Sequence, residues 1–212
     1  VPKGIGAEEN RDKKLIALAR EKDLFLKCTE EFLSLADVAG YSYLYPRYAT
    51  DKTVAGRIIM GTATYREKAY DALEETNKHL GVIGDFAFCA YDFIGKQEER
   101  FTDSEGESAF PAYANTSGLF DICGRKKDIA YYSEILLGKK NVTHIVVEDP
   151  DGAGENGELG ENGRYWNWPK HIGKPVRIFV YTSGDIVALY LDGKSIGRKL
   201  AGKFNKHIAE FK

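Results

Sequence analysis

The sequence predicts an α/β fold in its first half and an antiparallel β fold in its second half. Three features indicate this: a strand–helix–strand succession over residues 57–93, alternation of apolar and polar residues over 176–191, and an Asp-Gly pair at Asp192 and Gly193. A strand–helix–strand unit has a right-handed crossover and parallel strands. Alternating segments joined at Asp-Gly are typical of a β-hairpin.

The first half contains four predicted elements. Residues 8–35 are helix formers with apolar side chains near helical spacing, which predicts one long helix or two short ones. An aromatic strand is expected over 37–45 and an apolar strand over 57–62. Residues 66–79 place apolar and charged side chains on opposite sides, so an amphipathic helix connects these strands to the next one.

The strands of the second half differ from those of the first. Residues 82–93 are almost uninterruptedly apolar, as in a strand buried on both faces. Beyond Gly95 the strand signals, at 143–147, 176–181 and 186–191, follow one another without helices between them. They predict the opening of an immunoglobulin-like sandwich, which in full needs about seven strands and about 100 residues.

Composition and charge limit the possible functions of the chain. The 212 residues suffice for one large domain, or for one domain beside a partial one, and the chain begins without an initiator methionine. We therefore expect an excised piece of a longer protein. Its net charge of −2 leaves no basic excess for a nucleic-acid partner, and no apolar run approaches the roughly 20 residues that span a bilayer.

Motifs for metals, cofactors and common nucleophiles are weak or absent. The four histidines lack HExxH or i, i+4 spacing, no GxSxG is present, and the three cysteines are far apart without a catalytic signature. The sequence therefore predicts no metal and no cofactor. An odd number of widely spaced cysteines also suits a reducing compartment, so we expect a cytoplasmic protein.

One glycine-rich segment imitates a nucleotide-binding loop. Residues 152–157 match GxGxxG, but no amphipathic helix follows and the glutamates around them would repel a pyrophosphate. A nucleotide-binding βαβ domain is therefore the weakest of the functional hypotheses. A calcium loop that began at Asp149 would carry Ala153 and Gly160 at ligand positions, which excludes an EF-hand.

Several stretches, in order and spacing, resemble glycoside hydrolase family 2, the β-galactosidase and β-glucuronidase group. Residues 37–43, 57–65 and 82–95 resemble its sixth, seventh and eighth barrel strands. The segments that resemble its passage from the barrel into an immunoglobulin-like domain are 117–124, 131–132, 166–169 and 181–197. The resemblance implies the C-terminal portion of a (β/α)8 TIM barrel over 1–104, an extension over 105–169 and a truncated immunoglobulin-like domain over 170–212.

The resemblance also implies a retaining glycosidase mechanism, in which one carboxylate attacks the anomeric carbon and a second protonates the leaving oxygen. The family nucleophile is a Glu in a Gly-Thr-Glu-Thr-like motif, and the matching position here is Ala63. Tyr43 matches the tyrosine that orients this nucleophile. The acid/base belongs to an earlier barrel segment, which this chain lacks. We therefore expect a fragment of a β-galactosidase-like enzyme that is inactive by itself.

Three further positions are candidates for contact with a sugar. Phe88 and Tyr91 stand where the family usually has Trp, and Asp92 follows them. The two rings could instead fill a core, and Asp92, like Asp121, could be either a site residue or a loop cap. These changes, with Ala112 in place of a common Trp, favour an alternative function as a non-catalytic carbohydrate-binding or scaffold remnant.

The expected partners follow from the same resemblance. A β-linked sugar is the expected ligand or substrate. Part of a barrel exposes the edges of its sheet, and unpaired edges invite association. We therefore expect either a complementary chain that supplies the missing barrel half or self-association.

Overall fold

The computed structural model describes residues 33, 36–51, 53, 56–65, 68–94, 114–115, 117–148, 150 and 168–212. The chain forms two compact units, residues 1–64 with 71–86 and residues 65–70 with 87–212. Apart from the helical Leu33, the helix expected over 8–35 lies outside the described residues, as does the glycine-rich segment 152–157. The domain boundaries expected at 104 and 169 stay a prediction.

The first unit is built on a three-stranded sheet in the order β1-β2-β3. Its elements are β1 (Ala39–Ser42), α1 (Tyr48–Asp51), β2 (Ile59–Tyr65), α2 (Ala69–Lys78) and β3 (Val82–Phe88). A 3-10 turn, Tyr45–Arg47, precedes α1. Strands β1 and β2 are parallel, and α2 connects β2 to β3, so the predicted strand–helix–strand succession is present.

One face of this sheet is packed. Ala39 and Tyr41 of β1 pair with Ile59 and Gly61 of β2, and all four are buried. The apolar residues of this face form one cluster with Leu33 and Tyr48. Successive strand residues point to opposite faces, so this period of two explains why Val38 and Ile58 are exposed.

The expectation of a strand buried on both faces over 82–93 is wrong. Strand β3 ends at Phe88, and its side chains Ile83 and Phe86 are 61% and 63% exposed. Apolar character by itself does not decide burial, because burial requires a second layer of side chains above the strand. Among the described residues, only the face that holds Tyr48 and Leu33 has such a layer.

The second unit contains an antiparallel sheet in the order β10-β7-β6 and a separate β8–β9 hairpin. The strands are β6 (Thr143–Val147), β7 (Ile178–Thr182), β8 (Ile186–Leu191), β9 (Lys194–Leu200) and β10 (Ile208–Phe211). Two short strands, β4 (Phe93–Ile94) and β5 (Ala114–Asn115), pair with each other. The hairpin turns at Asp192 and Gly193, both with positive φ, as two-residue hairpin turns require.

The second unit contains a helix that the sequence analysis did not predict. Helix α3 (Asp128–Leu136) precedes β6, and it therefore lies before the first of the strand signals at 143–147, 176–181 and 186–191. Its Tyr132 and Ile135 are buried against Phe179 and Tyr181 of β7. The aromatic pair at 131–132 hid the helical spacing, because aromatic residues are also typical of strands.

The described residues include no helix with the length and apolar character that crossing a membrane would require.

The contacts on the packed face leave no room for a side chain at Gly61. A Cβ atom built there would lie 2.0 Å from Asp85 Oδ2 and 2.3 Å from Tyr48 Oη. We therefore expect Gly61→Ala to lower the free energy of unfolding by about 1–3 kcal/mol, measured by urea denaturation followed by circular dichroism. Gly84→Ala is the matched control, because nothing lies within 4 Å of its added Cβ; equal losses in both variants would contradict this account.

Candidate functional site

The structure brings Ala63 and Tyr43 together at the end of β1. The register pairs Ser42 with Ala63, after a shift between Tyr41 and Ser42 that leaves Thr62 out of the pairing. The Tyr43 N–H donates to the Ala63 carbonyl oxygen at 2.7 Å. Tyr43 itself has a φ of +57° and an exposed side chain. The backbone arrangement joins the two residues of the predicted nucleophile region.

Ala63 lies in the irregular part of the β1–β2 pairing. It pairs with Ser42 after the shift that leaves Thr62 out of the pairing, and it is partly exposed. A methyl group is neither a nucleophile nor a proton carrier, so position 63 offers no acid–base chemistry.

A polar network that the sequence did not reveal lies on the packed face. The Tyr48 hydroxyl donates to Asp85 Oδ2 at 2.7 Å, over Gly61. The Tyr41 hydroxyl donates to Asp51 Oδ2 at 2.6 Å, and Arg47 Nη2 lies 2.8 Å from the same oxygen. The only sequence signal was an aspartate within an apolar run, at Asp85.

This network raises the pKa of both phenols. Burial is the largest cause for Tyr41 and Tyr48, and the hydrogen bond to the neighbouring aspartate is the next. The two rings also meet edge to face, with centroids 5.8 Å apart. The carboxylates of Asp51 and Asp85 accept from these phenols, and they thereby connect secondary-structure elements.

The predicted sugar contacts Phe88 and Tyr91 belong to the second unit. Phe88 meets Phe93 edge to face at a centroid distance of 6.3 Å, and Tyr91 stacks on Phe120 at 5.3 Å. Tyr91 is 57% exposed and Phe88 is also exposed, so neither ring is buried in a core. Both offer apolar faces to solvent, and their role in sugar binding stays a prediction.

Asp92 occupies a structural position. Its Oδ1 accepts from the Gly118 N–H at 2.8 Å and from Lys127 Nζ at 2.7 Å, and its side chain is 8% exposed. Gly118 has no room for a side chain, since an added Cβ would lie 2.1 Å from the Asp92 nitrogen. Asp92 thus fixes the segment that begins at Gly118, and a contact between Asp92 and a sugar stays a prediction.

Asp121 is a loop cap. Its Oδ1 accepts from the backbone N–H groups of Cys123 and Arg125 at 2.9 and 2.8 Å. Of the two alternatives for Asp121, a site residue or a loop cap, these bonds support the loop cap.

Ala112 and Trp166 lie outside the described residues. Within the part of the chain that the structure describes, no three His, Cys, Asp or Glu side chains group as metal ligands.

The Asp92–Lys127 contact predicts a stability effect. Asp92→Asn removes the carboxylate charge and leaves the half-buried Lys127 ammonium without it, so we expect a loss of about 1–3 kcal/mol in unfolding free energy. Asp192→Asn, in the exposed hairpin turn, is the same chemical change and should stay within about 0.5 kcal/mol. Unchanged stability of Asp92→Asn in urea denaturation would argue for a ligand-binding role instead.

The raised phenol pKa values predict a delayed alkaline titration. Tyr41, Tyr48 and Tyr181 all have raised pKa values, chiefly through burial. A raised pKa in the folded state stabilises the fold below the unfolded value near 10, and this contribution is lost as the pH rises further. In absorbance titration at alkaline pH, Tyr41, Tyr48 and Tyr181 should ionise only as the chain unfolds.

Two controls accompany this titration. The chain in denaturant should titrate all its tyrosines together. Tyr48→Phe should remove one phenol from the delayed group. A folded chain whose tyrosines ionise in the same step as those of the denatured chain would overturn the assignment.

Comparisons with known proteins identify a matching family model and several similar solved structures. A family model described as "Domain of unknown function (DUF4982)" matches residues 173–212, and no curated protein matches the chain. A solved glycosyl hydrolase family 2 member from Bacteroides cellulosilyticus is 28% identical with a TM-score of 0.76, over 88% of this chain and 25% of the solved one. A member from Bacteroides cellulosilyticus DSM 14838 is 28% identical with a TM-score of 0.68, over 88% and 23%.

A more distant neighbour shares the fold alone. The β-glucuronidase of Bacteroides uniformis is 13% identical with a TM-score of 0.52, over 86% of this chain and 23% of its own. This chain spans about a quarter of the length of the family 2 members that it matches. The matched part of the chain has a glycosyl hydrolase family 2-like fold.

Proposed function

We propose that this chain is part of a β-galactosidase-like glycosidase whose parent cleaves O-glycosidic bonds with retention, and that the chain itself does not hydrolyse them. One observation carries the proposal: Ala63, at the position matching the family nucleophile, has only a methyl group and pairs with Ser42 at the carboxyl end of β1. A retaining mechanism requires a carboxylate there to form the glycosyl-enzyme intermediate.

The arrangement of strands supports a barrel origin for the first unit. We assign β1, β2 and β3 to the sixth, seventh and eighth strands of a TIM barrel, because β1 and β2 are parallel and α2 separates β2 from β3. Active sites of such barrels lie at the carboxyl ends of their strands. Ser42 and Ala63 stand at that end of β1, which agrees with this assignment.

The second unit supports the opening of an immunoglobulin-like sandwich. Its β10-β7-β6 sheet is antiparallel, and Val180 and Ala209 of that sheet pack against Val187 and Leu189 of the β8–β9 hairpin. Two antiparallel layers that share a core are the arrangement of a sandwich. The match of residues 173–212 to a separate family model agrees with a module that begins near this point.

The exposed apolar side chains of the first sheet support a missing complement. Ile83 and Phe86 of β3 and Ile58 beside β2 are exposed, and among the described strands β1 and β3 are at the edges of their sheet. Exposed apolar side chains beside unpaired edges favour association. We infer that the remaining barrel strands, or a second copy of this chain, cover these side chains.

A non-catalytic carbohydrate-binding role is the second candidate. The exposed rings of Phe88 and Tyr91 favour it, because aromatic faces pack against the C–H groups of sugars. Such a role needs the rings but neither carboxylate. The lack of a carboxylate at position 63 would remove hydrolysis but would not prevent sugar binding.

The purified chain should not hydrolyse chromogenic β-galactosides or β-glucuronides, with its intact mass recorded on the same sample. Ala63→Glu should also be inactive, because a restored nucleophile still lacks the acid/base that protonates the leaving oxygen. Ala63→Gln is the control, because glutamine has nearly the same shape as glutamate but carries no charge. Turnover by the 212-residue chain, or by Ala63→Glu but not Ala63→Gln, would overturn the proposal.

A calorimetric titration of the same chain with a β-galactoside distinguishes the two candidate functions. Saturable binding without turnover, weakened by Tyr91→Ala, favours the carbohydrate-binding role. Absence of binding together with absence of turnover favours a fragment that requires its missing half. The Tyr91→Ala variant should stay folded, since its ring is largely exposed.

A further inference from the structure

The C-terminal part of the chain is basic, although the chain as a whole is not. Residues 168–212 contain nine Lys and Arg residues and three Asp and Glu residues, a net charge of +6. The whole chain carries −2, so residues 1–167, with 21 basic and 29 acidic residues, carry −8. The positive charge is therefore concentrated on the segment that forms β7 to β10.

The β8–β9 hairpin within this segment has one packed face and one open face. Val187 and Leu189 are buried against Val180 of β7, whereas Tyr190, which follows Leu189, is 61% exposed. The register places six residues on the open face in three pairs. These pairs are Ile186 with Leu200, Ala188 with Arg198, and Tyr190 with Ser195.

The open face combines an aromatic ring with a guanidinium group. Arg198 lies diagonally from Tyr190, because it pairs with Ala188, two residues earlier on β8. Diagonal neighbours on a sheet are about 7–8 Å apart, within reach of long side chains. The short side chains of Ala188 and Ser195 flank the Tyr190 ring and leave its faces accessible.

Four exposed cations lie on and beside this hairpin. Lys194, Arg198, Lys199 and Lys203 are exposed and make no ion pair within the described residues. In contrast, Arg177 of the same segment pairs with Glu148 and Glu210. Unpaired cations on one strand create a positive field that attracts anionic partners.

We propose that the open face of the β8–β9 hairpin, the six residues named above, binds an acidic polysaccharide. The Tyr190 ring packs against the C–H face of one sugar, and the Arg198 guanidinium donates to a carboxylate or sulfate oxygen. Lys194 and Lys199 pair with Leu191 and Val187, so they lie beside the open face, where they add to the positive field that attracts the charges of adjoining sugars. An open strand pair suits a polymer that extends across it better than it suits a single enclosed sugar.

Other anionic partners fit this face less well. A nucleic acid carries one charge per about 1.7 Å of duplex, far denser than the one cation that the register places on this face, Arg198. A protein strand added to β9 would meet Lys194, Arg198 and Lys199, and charged edge residues prevent such pairing. A glycan with about one charge per sugar avoids both difficulties.

The test is affinity electrophoresis of the intact chain in gels that contain polygalacturonate, dextran sulfate or uncharged dextran. We expect retardation by the charged polymers only, decreasing with ionic strength. Polygalacturonate and dextran sulfate separate carboxylate from sulfate recognition, and retardation by either one supports the proposal.

Three variants locate the binding face. Arg198→Glu should weaken binding about tenfold or more, and Tyr190→Ala about threefold, while Tyr190→Phe should retain it. Lys140→Glu is the matched control, because Lys140 is exposed in the turn between α3 and β6 and makes no described ion pair. Circular dichroism confirms that each variant is folded.

Several outcomes would overturn the proposal: no retardation of the unchanged chain, an equal loss in Lys140→Glu and Arg198→Glu, or tighter retardation by duplex DNA than by either glycan. Equal losses would mean that binding follows net charge alone. The proposal uses only residues of the hairpin and its surroundings. Its failure therefore leaves the assignment at Ala63 unaffected, and turnover in the hydrolysis panel would leave the polysaccharide face unaffected.

Discussion

The hydrogen bond from the Tyr48 hydroxyl to Asp85 is the interaction on which the first unit depends. It connects α1, which follows β1, to β3, and it passes over β2 at the one position that has no side chain, Gly61. A partly buried carboxylate that loses its donor costs free energy, so the fold is more stable while Tyr48 and Asp85 stay together. The absence of a Cβ at Gly61 follows from this constraint, because a Cβ there would collide with both groups.

The same bond gives the nearby aspartates a structural role. Asp51 and Asp85 accept from the phenols of Tyr41 and Tyr48 and stabilise the fold. Ser42 and Ala63, which pair at the end of β1, supply no carboxylate. The carboxylates of Asp51 and Asp85 are thus engaged in packing, whereas position 63, where we propose that a nucleophile is missing, carries only a methyl group.

In the second unit, tyrosine hydroxyls connect helices to the turn before β10. Tyr132 of α3 donates to the Lys206 carbonyl at 2.8 Å, and Tyr70 donates to the Lys203 carbonyl at 3.0 Å. Both bonds fix the connection between β9 and β10, and β10 in turn pairs with β7. These two hydrogen bonds thereby help to hold β10 in place within the second unit.

The sequence by itself determined the local elements. Strands β1, β2, β6 and β8, helix α2 and the turn at Asp192 and Gly193 follow from periodicity and turn chemistry, which act between neighbouring residues. Only the tertiary structure decided the exposure of Ile83 and Phe86, the ion pair of Asp92 with Lys127 and the buried bond between Tyr48 and Asp85. Each of these joins residues distant in sequence or requires a covering layer, and a pattern of neighbours contains neither.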